Sequence, residues 1–139
     1  MIAALFLHWS AMHALSNAAG IALFAWLIVR REGAKVLVLV LTLAFALQTL
    51  VLCVMSGEYR GASGFLYALA TFTLLGAGKH RALHAVIAVA GIAHVMRDAL
   101  GATISPVLPQ GVATAWPIHV AGIAAGVVAR RSSSRTGRR

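Results

Sequence analysis

Five long apolar segments fill this chain, and short polar or basic clusters separate them. The segments cover about residues 2–29, 36–56, 61–78, 82–96 and 112–129. An α-helix rises about 1.5 Å per residue and needs about 20 apolar residues to cross the hydrocarbon core of a bilayer. The pattern therefore predicts an all-α polytopic membrane protein with five transmembrane helices.

The composition agrees with this class of protein. Hydrophobic residues make up 60% of the chain, charged residues 11%, and the mean hydropathy is +0.88. Soluble domains contain roughly 25% charged residues. With five such segments in 139 residues, no separate soluble domain fits. The single cysteine, Cys53, lies within an apolar segment, so we expect a small buried hydrophobe and no disulfide framework.

The basic residues set the predicted topology. With five spans, ten of the twelve Lys and Arg residues fall on one side, and Arg60 and Arg97 fall on the other. The positive-inside rule then puts the C-terminus in the cytoplasm, and residues 57–60 and 97–111 outside. We expect a multi-pass protein of the bacterial inner membrane.

The distribution of charge also divides the chain. We expect a transmembrane domain over residues 1–129 and a basic, disordered cytoplasmic tail over residues 130–139. Basic clusters that border membrane spans commonly set topology and contact anionic lipid. The net charge of +9 therefore indicates a lipid partner at the tail and does not indicate nucleic acid.

Polar side chains inside hydrocarbon are costly and mark candidate functional positions. Ser63 stands at the outer start of the third predicted helix, and Tyr67 follows one turn deeper. Glycines at positions 61 and 64 clear space around the hydroxyl. The stretch "YRGASGFLYAL" thus combines a serine with bare backbone at the start of a membrane helix.

The fifth predicted helix carries His119, with Gly122 and Gly126 on the same face at offsets of three and seven residues. The Gly-x-x-x-Gly spacing allows close packing on a neighbouring helix. If that neighbour is the third helix, with Gly64 on its small face, His119 meets Ser63 at matching depth.

A serine beside a histidine is a nucleophile with its general base. The acidic residues that might orient the histidine are Glu32, Glu58 and Asp98, and none lies well within a span. The residues therefore favour a Ser63–His119 dyad over a triad.

In the first segment, His13 and Asn17 lie about 40° apart on one helical face, at about 100° per residue. His8 would lie about 140° from His13 on the same helix, so we expect it to have a separate, structural role. His13 and Asn17, with the Ser63 backbone N–H, would supply donors to an oxyanion.

Three motifs occur in order along the chain: H-x-x-x-x-H-x-x-x-N, then G-x-S-G with a tyrosine four residues after the serine, then H-x-x-G-x-x-x-G. Their residues are His8, His13, Asn17, Gly61, Ser63, Gly64, Tyr67, His119, Gly122 and Gly126. This set resembles the rhomboid intramembrane serine proteases and covers residues 8–126. The resemblance implies Ser63 as nucleophile, His119 as base, His13 and Asn17 at the oxyanion, and Tyr67 packed against the catalytic histidine.

The resemblance also implies a rhomboid-like helical bundle with a six-helix core. This chain would lack the first transmembrane helix of that core and the interfacial loop after it, which would explain why five spans place residue 1 outside. The form "YRGASG" resembles the rhombosortase branch, thought to process proteins with a C-terminal Gly-Gly signal.

By this resemblance the substrate is a transmembrane segment of a membrane protein, cleaved near the extracytoplasmic face without a metal or cofactor. Two alternatives remain open. The first is a non-catalytic rhomboid-like pseudoprotease that binds transmembrane segments. The second is a membrane protein that ligates haem or a metal through histidines on different helices.

Overall fold

The computed structural model describes residues 2–55, 59–76, 81–100 and 115–136, and these ranges contain helices and no strand. A 3₁₀ turn at Ile2–Leu5 precedes five α-helices. They are α1 (Ala11–Glu32), α2 (Ala34–Val54), α3 (Ser63–Leu75), α4 (Arg81–Ala99) and α5 (Trp116–Thr136). The predicted all-α fold with five helices is confirmed.

The hydropathy of the first apolar segment suggested one continuous helix. The structure instead interrupts this segment before α1. Ser10 has an extended backbone, and its hydroxyl accepts a hydrogen bond from the backbone N–H of His13 at 3.1 Å. Serine is a favoured N-cap because its side-chain oxygen satisfies an otherwise unpaired donor of the first turn. Since α1 begins at Ala11, the angular prediction for His8 was wrong: His8 precedes the helix.

A tight hairpin joins α1 to α2 through a single residue, Gly33, at φ +92°. Its N–H donates to the carbonyls of Ile28 and Val29, which closes the end of α1. Only glycine adopts such a backbone conformation without steric cost.

Length and hydropathy single out α1 and α2 as able to cross a membrane, among the described residues. By contrast, α3 has 13 residues, so it extends about 20 Å where the hydrocarbon core is about 30 Å thick. It is enclosed by its neighbours: Phe65, Ala68, Leu69 and Phe72 are buried. The start of α3 can therefore lie inside the membrane region without reaching its surface.

The contact between α3 and α5 depends on glycine. A Cβ atom on Gly122 would collide with the carbonyl oxygen of Gly64, and one on Gly126 would lie 2.5 Å from the carbonyl oxygen of Ala68. Two helix backbones approach this closely only where side chains are absent. The predicted packing of the fifth helix on the third is confirmed.

The α4 helix stands apart from this core. Among its described side chains, Val95 is buried, whereas Val86 and Val89 are 65% and 66% exposed. In a bilayer such apolar side chains face lipid. Cys53 on α2 is likewise exposed, so the prediction that it is buried was wrong. Lipid accepts an apolar side chain as readily as a core does.

The residues predicted to form a disordered tail are partly helical, because α5 continues to Thr136. Arg130 lies over the ring of Phe72 at 5.2 Å and pairs with Glu32 at the end of α1. Ser132 donates to the carbonyl of Val128 at 3.0 Å. No proline or glycine interrupts residues 130–136, so the helix continues beyond its apolar part.

Candidate active site

The nucleophile and base candidates meet at the starts of two packed helices. Ser63 is the first residue of α3, and His119 lies in the first turn of α5, two residues after Pro117. Proline is tolerated there because first-turn N–H groups have no partner within the helix. The Ser63 hydroxyl lies 2.9 Å from Nε2 of His119, which is hydrogen-bond distance for a serine and its base.

The imidazole of His119 is buried and held by an aromatic neighbour. Its ring lies 4.5 Å from the ring of Tyr67, centroid to centroid, at an interplanar angle of 27°. Such stacked geometry restricts the rotation of the imidazole. Because Tyr67 is one helical turn after Ser63, a single helix positions both the candidate nucleophile and the ring that packs on His119.

His13 and Asn17 are buried on one face of α1 and border the loop before Ser63. A Cβ atom on Gly61 would lie 2.8 Å from Cε1 of His13 and 3.7 Å from Nδ2 of Asn17. Gly61 has φ +150°. Within the described part of the chain, Nδ1 of His13 and Nδ2 of Asn17 have no hydrogen-bond partner. Two polar groups of α1 thus lie unpartnered near Gly61, and both residues line the same cavity as Ser63.

His8 joins this group from outside the helix. Its ring meets the ring of His13 edge-on at 5.1 Å, and its Nε2 accepts a hydrogen bond from the backbone N–H of Ala62 at 3.4 Å. The backbone N–H of Gly61 donates to the carbonyl of Ala4 at 3.0 Å. The segment before α1 therefore supports the loop that presents Ser63.

The structure thus brings together nine of the ten candidate residues, from the N-terminal segment, α1, α3 with its preceding loop, and α5. The tenth, Gly126, lies about 10 Å along α5 from His119 and packs against Ala68. Of the acidic residues, Glu32 pairs with Arg130, about 16 Å along α5 from His119. The side chains of Glu58 and Asp98 lie outside the described residues. The choice of a dyad over a triad stays a prediction.

Three further residues at the site were missed from the sequence. Gln48 on α2 is fully buried, donates to the carbonyl of Ala44 at 2.9 Å, and fills the space where a side chain on residue 64 would lie. A glutamine within the otherwise apolar second segment was the available signal.

The other two are Tyr59 and His94. The Tyr59 hydroxyl lies 3.4 Å from the Ser63 hydroxyl, and the His94 ring lies 6.5 Å from the His119 ring. Arg97 contacts Nδ1 of His94 at 2.8 Å. Tyr59 is four residues before the serine, a spacing that could have drawn attention to it. The position of His94 depends on the tertiary packing of α4.

A cavity of about 800 Å³ connects these residues. Its lining includes His13, Asn17, Ser63 and His119, and most of the other lining residues are apolar side chains of α1, α3, α4 and α5. Mostly apolar cavities with a few convergent polar groups are typical of ligand sites. Across the described residues, no cluster of three or more His, Cys, Asp or Glu side chains has the arrangement of a metal site.

These features define a helical membrane bundle with a part-buried Ser–His pair beside a mostly apolar cavity. The chain belongs to the rhomboid family: the model of the Rhomboid domain matches residues 1–134. Rhomboid proteins are multi-pass integral membrane proteins, and members are typically serine proteases that act on transmembrane substrates within the membrane. The family assignment made from the three motifs is confirmed. Searches among curated proteins and solved structures gave no significant match.

Proposed function

We propose that this protein is an intramembrane serine endopeptidase that cleaves a transmembrane segment of a membrane protein near the extracytoplasmic face. The observation that carries the proposal is the 2.9 Å contact between the Ser63 hydroxyl and Nε2 of His119. Family membership supports it, and so does the cavity beside the pair.

The reaction proceeds in two steps. Ser63 Oγ forms a bond to the scissile carbonyl carbon as its proton passes to Nε2 of His119, and His119 returns that proton to the amine as the peptide C–N bond breaks. Water then attacks the acyl-enzyme with His119 again as base. The second product leaves with a new carboxyl group, and Ser63 regains its proton.

The negative charge that develops on the carbonyl oxygen needs donors that are already in place. His13 and Asn17 carry polar atoms without a partner in the described residues, and both border the backbone just before Ser63. We assign the oxyanion to these side chains together with the backbone N–H of Ser63. Such donors act mainly in the transition state, so their effect falls on turnover.

The substrate enters as an unwound segment, because peptide bonds inside a helix are shielded. Glycine and other weak helix formers near the cleavage point make unwinding easier. The apolar wall of the cavity supports a transmembrane substrate. We place the site on the extracytoplasmic side and the basic C-terminus in the cytoplasm of a bacterial inner membrane, on anionic lipid. Assignment to the rhombosortase branch rests on the motif resemblance.

A pseudoprotease with the same fold is the second candidate, since the family shown includes proteins without activity. Labelling of purified protein with a serine-reactive fluorophosphonate separates the two. We expect labelling of the wild-type chain and none of Ser63→Ala, with cleavage of a model transmembrane substrate following the same pattern. Undiminished cleavage by Ser63→Ala would end the protease proposal. A haem or metal protein would instead give an absorbance spectrum or metal content that depends on the histidines.

A further inference from the structure

Ser63 has a second side-chain neighbour besides its proposed base. The hydroxyl of Tyr59 lies 3.4 Å from the hydroxyl of Ser63. Tyr59 belongs to the segment between α2 and α3, it is 8% exposed, and its ring packs in the hydrophobic core. Its side chain also lines the cavity that holds Ser63 and His119. The buried ring of Tyr59 therefore holds its hydroxyl beside the hydroxyl of Ser63.

The direction of the hydrogen bond follows from the number of protons available. Ser63 has one hydroxyl proton, and in the proposed reaction that proton points to Nε2 of His119. The remaining contact of Ser63 Oγ must then use a lone pair, so Tyr59 is the donor.

The phenol retains its proton in this environment. Burial raises the pKa of Tyr59, and this effect exceeds the lowering by hydrogen bonds to Ser63 and to the Gly64 backbone. The ordinary pKa of tyrosine is about 10, so the group is a neutral donor throughout the physiological range.

The need for a second partner comes from the start of α3. Its N-cap residue is Ala62, and no side chain caps the helix. A serine hydroxyl in a first turn can rotate among three staggered positions and can bond to nearby backbone groups. With the His119 contact alone, the Ser63 hydroxyl could still adopt these other rotamers and backbone hydrogen bonds.

We propose that Tyr59 is a positioning residue for the nucleophile: its hydroxyl donates to Ser63 Oγ and thereby directs the Ser63 proton toward His119. This inference rests on the proposed function, because it assumes that Ser63 attacks a substrate. The O···O distance of 3.4 Å is long for a resting hydrogen bond, and catalytic contacts commonly shorten when substrate binds.

The test is Tyr59→Phe, which removes the hydroxyl and keeps the ring in the core. One net neutral hydrogen bond corresponds to roughly a 3- to 10-fold change. We expect the rate of fluorophosphonate labelling and the kcat for a model transmembrane substrate to fall together by that factor. KM and the thermal unfolding midpoint should stay at the wild-type values, because packing and the substrate cavity are retained.

A matched control reports the effect of disturbing the core without touching a hydroxyl. Phe65 is also 8% exposed and belongs to the same core. Phe65→Leu should lower the unfolding midpoint, whereas Tyr59→Phe should not. If Tyr59→Phe lowers the midpoint like Phe65→Leu, or is labelled at the wild-type rate, the positioning role is overturned.

The two proposals fail in different ways. Labelling of wild-type protein and none of Ser63→Ala, with an unchanged rate for Tyr59→Phe, overturns the role of Tyr59 alone. Absence of labelling in the wild type, with normal folding, contradicts the protease proposal itself.

Discussion

The contact between α3 and α5 determines whether Ser63 and His119 meet, and a single methyl group should separate them. In Gly126→Ala the new Cβ would lie 2.5 Å from the carbonyl oxygen of Ala68, whereas ordinary contact begins at 3.4 Å. The difference, 3.4 minus 2.5, requires α5 to move about 0.9 Å from α3. Because the obstructing atom is backbone, no side-chain rotation relieves the contact.

A shift of that size acts directly on the proposed dyad. Adding 0.9 Å to the 2.9 Å between Ser63 Oγ and His119 Nε2 gives about 3.8 Å, which is beyond hydrogen-bond distance. A misplacement of about 1 Å can reduce turnover about 10²-fold. Overpacking a tight contact also costs about 1–3 kcal/mol of stability. We therefore expect Gly126→Ala to fold with a lowered unfolding midpoint and to lose about 10²-fold in labelling rate.

The assay is the rate of fluorophosphonate labelling beside thermal unfolding in the same detergent. The matched control is Gly91→Ala on α4: this residue lines the same cavity, but a Cβ atom there has nothing within 4 Å and so displaces no helix. Alanine favours a helix over glycine by about 1 kcal/mol, so this control should keep the wild-type labelling rate and unfold no earlier. Wild-type labelling of Gly126→Ala would refute the argument that close packing of α5 aligns the dyad.

Three other predictions address the oxyanion, the N-terminal support and the topology. His13→Ala should lower kcat by roughly 10²–10³ with little change in KM, and Asn17→Ala should lower kcat less. A bleached haem spectrum or an emptied metal site in His13→Ala would instead favour the ligand-binding alternative. His8→Ala should act mainly on stability, by about 1 kcal/mol, measured as a lower unfolding midpoint; unchanged stability with lost turnover would place His8 in the reaction instead. The orientation can be tested in a chain whose Cys53 is replaced by alanine. A cysteine at position 60 should react with an impermeant reagent from outside, and one at position 134 should react only after permeabilisation. The reverse pattern would contradict the proposed orientation.

Much of the site could be predicted because its residues follow short-range rules. The four-residue spacing that puts His13 and Asn17 on one face depends on helical geometry alone, as does the spacing of Ser63 and Tyr67. The close packing of Gly122 on α3 followed from a small-residue motif. These relations hold for any arrangement of the remaining helices.

Other features depended on interactions that hydropathy does not report. Apolarity alone could not locate the start of α1, because the extended residue Ser10 lies within an apolar stretch. Cys53 and the exposed face of α4 show the same limit: lipid is as apolar as a protein core, so an apolar residue carries no sign of which one it faces. The place of His94 beside His119 required the packing of α4, which no local spacing encodes.

The short third helix explains how a serine hydroxyl flanked by glycines can function inside a membrane. An uncapped helix start exposes N–H groups and the positive end of the helix dipole, which would be costly in hydrocarbon. In this fold the start of α3 borders a cavity with polar groups from α1 and α5, so a developing negative charge finds donors already arranged. Gly61 and Gly64 are needed because His13 and Gln48 occupy the space that their side chains would fill. The sequence around Ser63 thus lacks both a helix cap and side chains at positions 61 and 64, and both absences leave room for the proposed reaction centre.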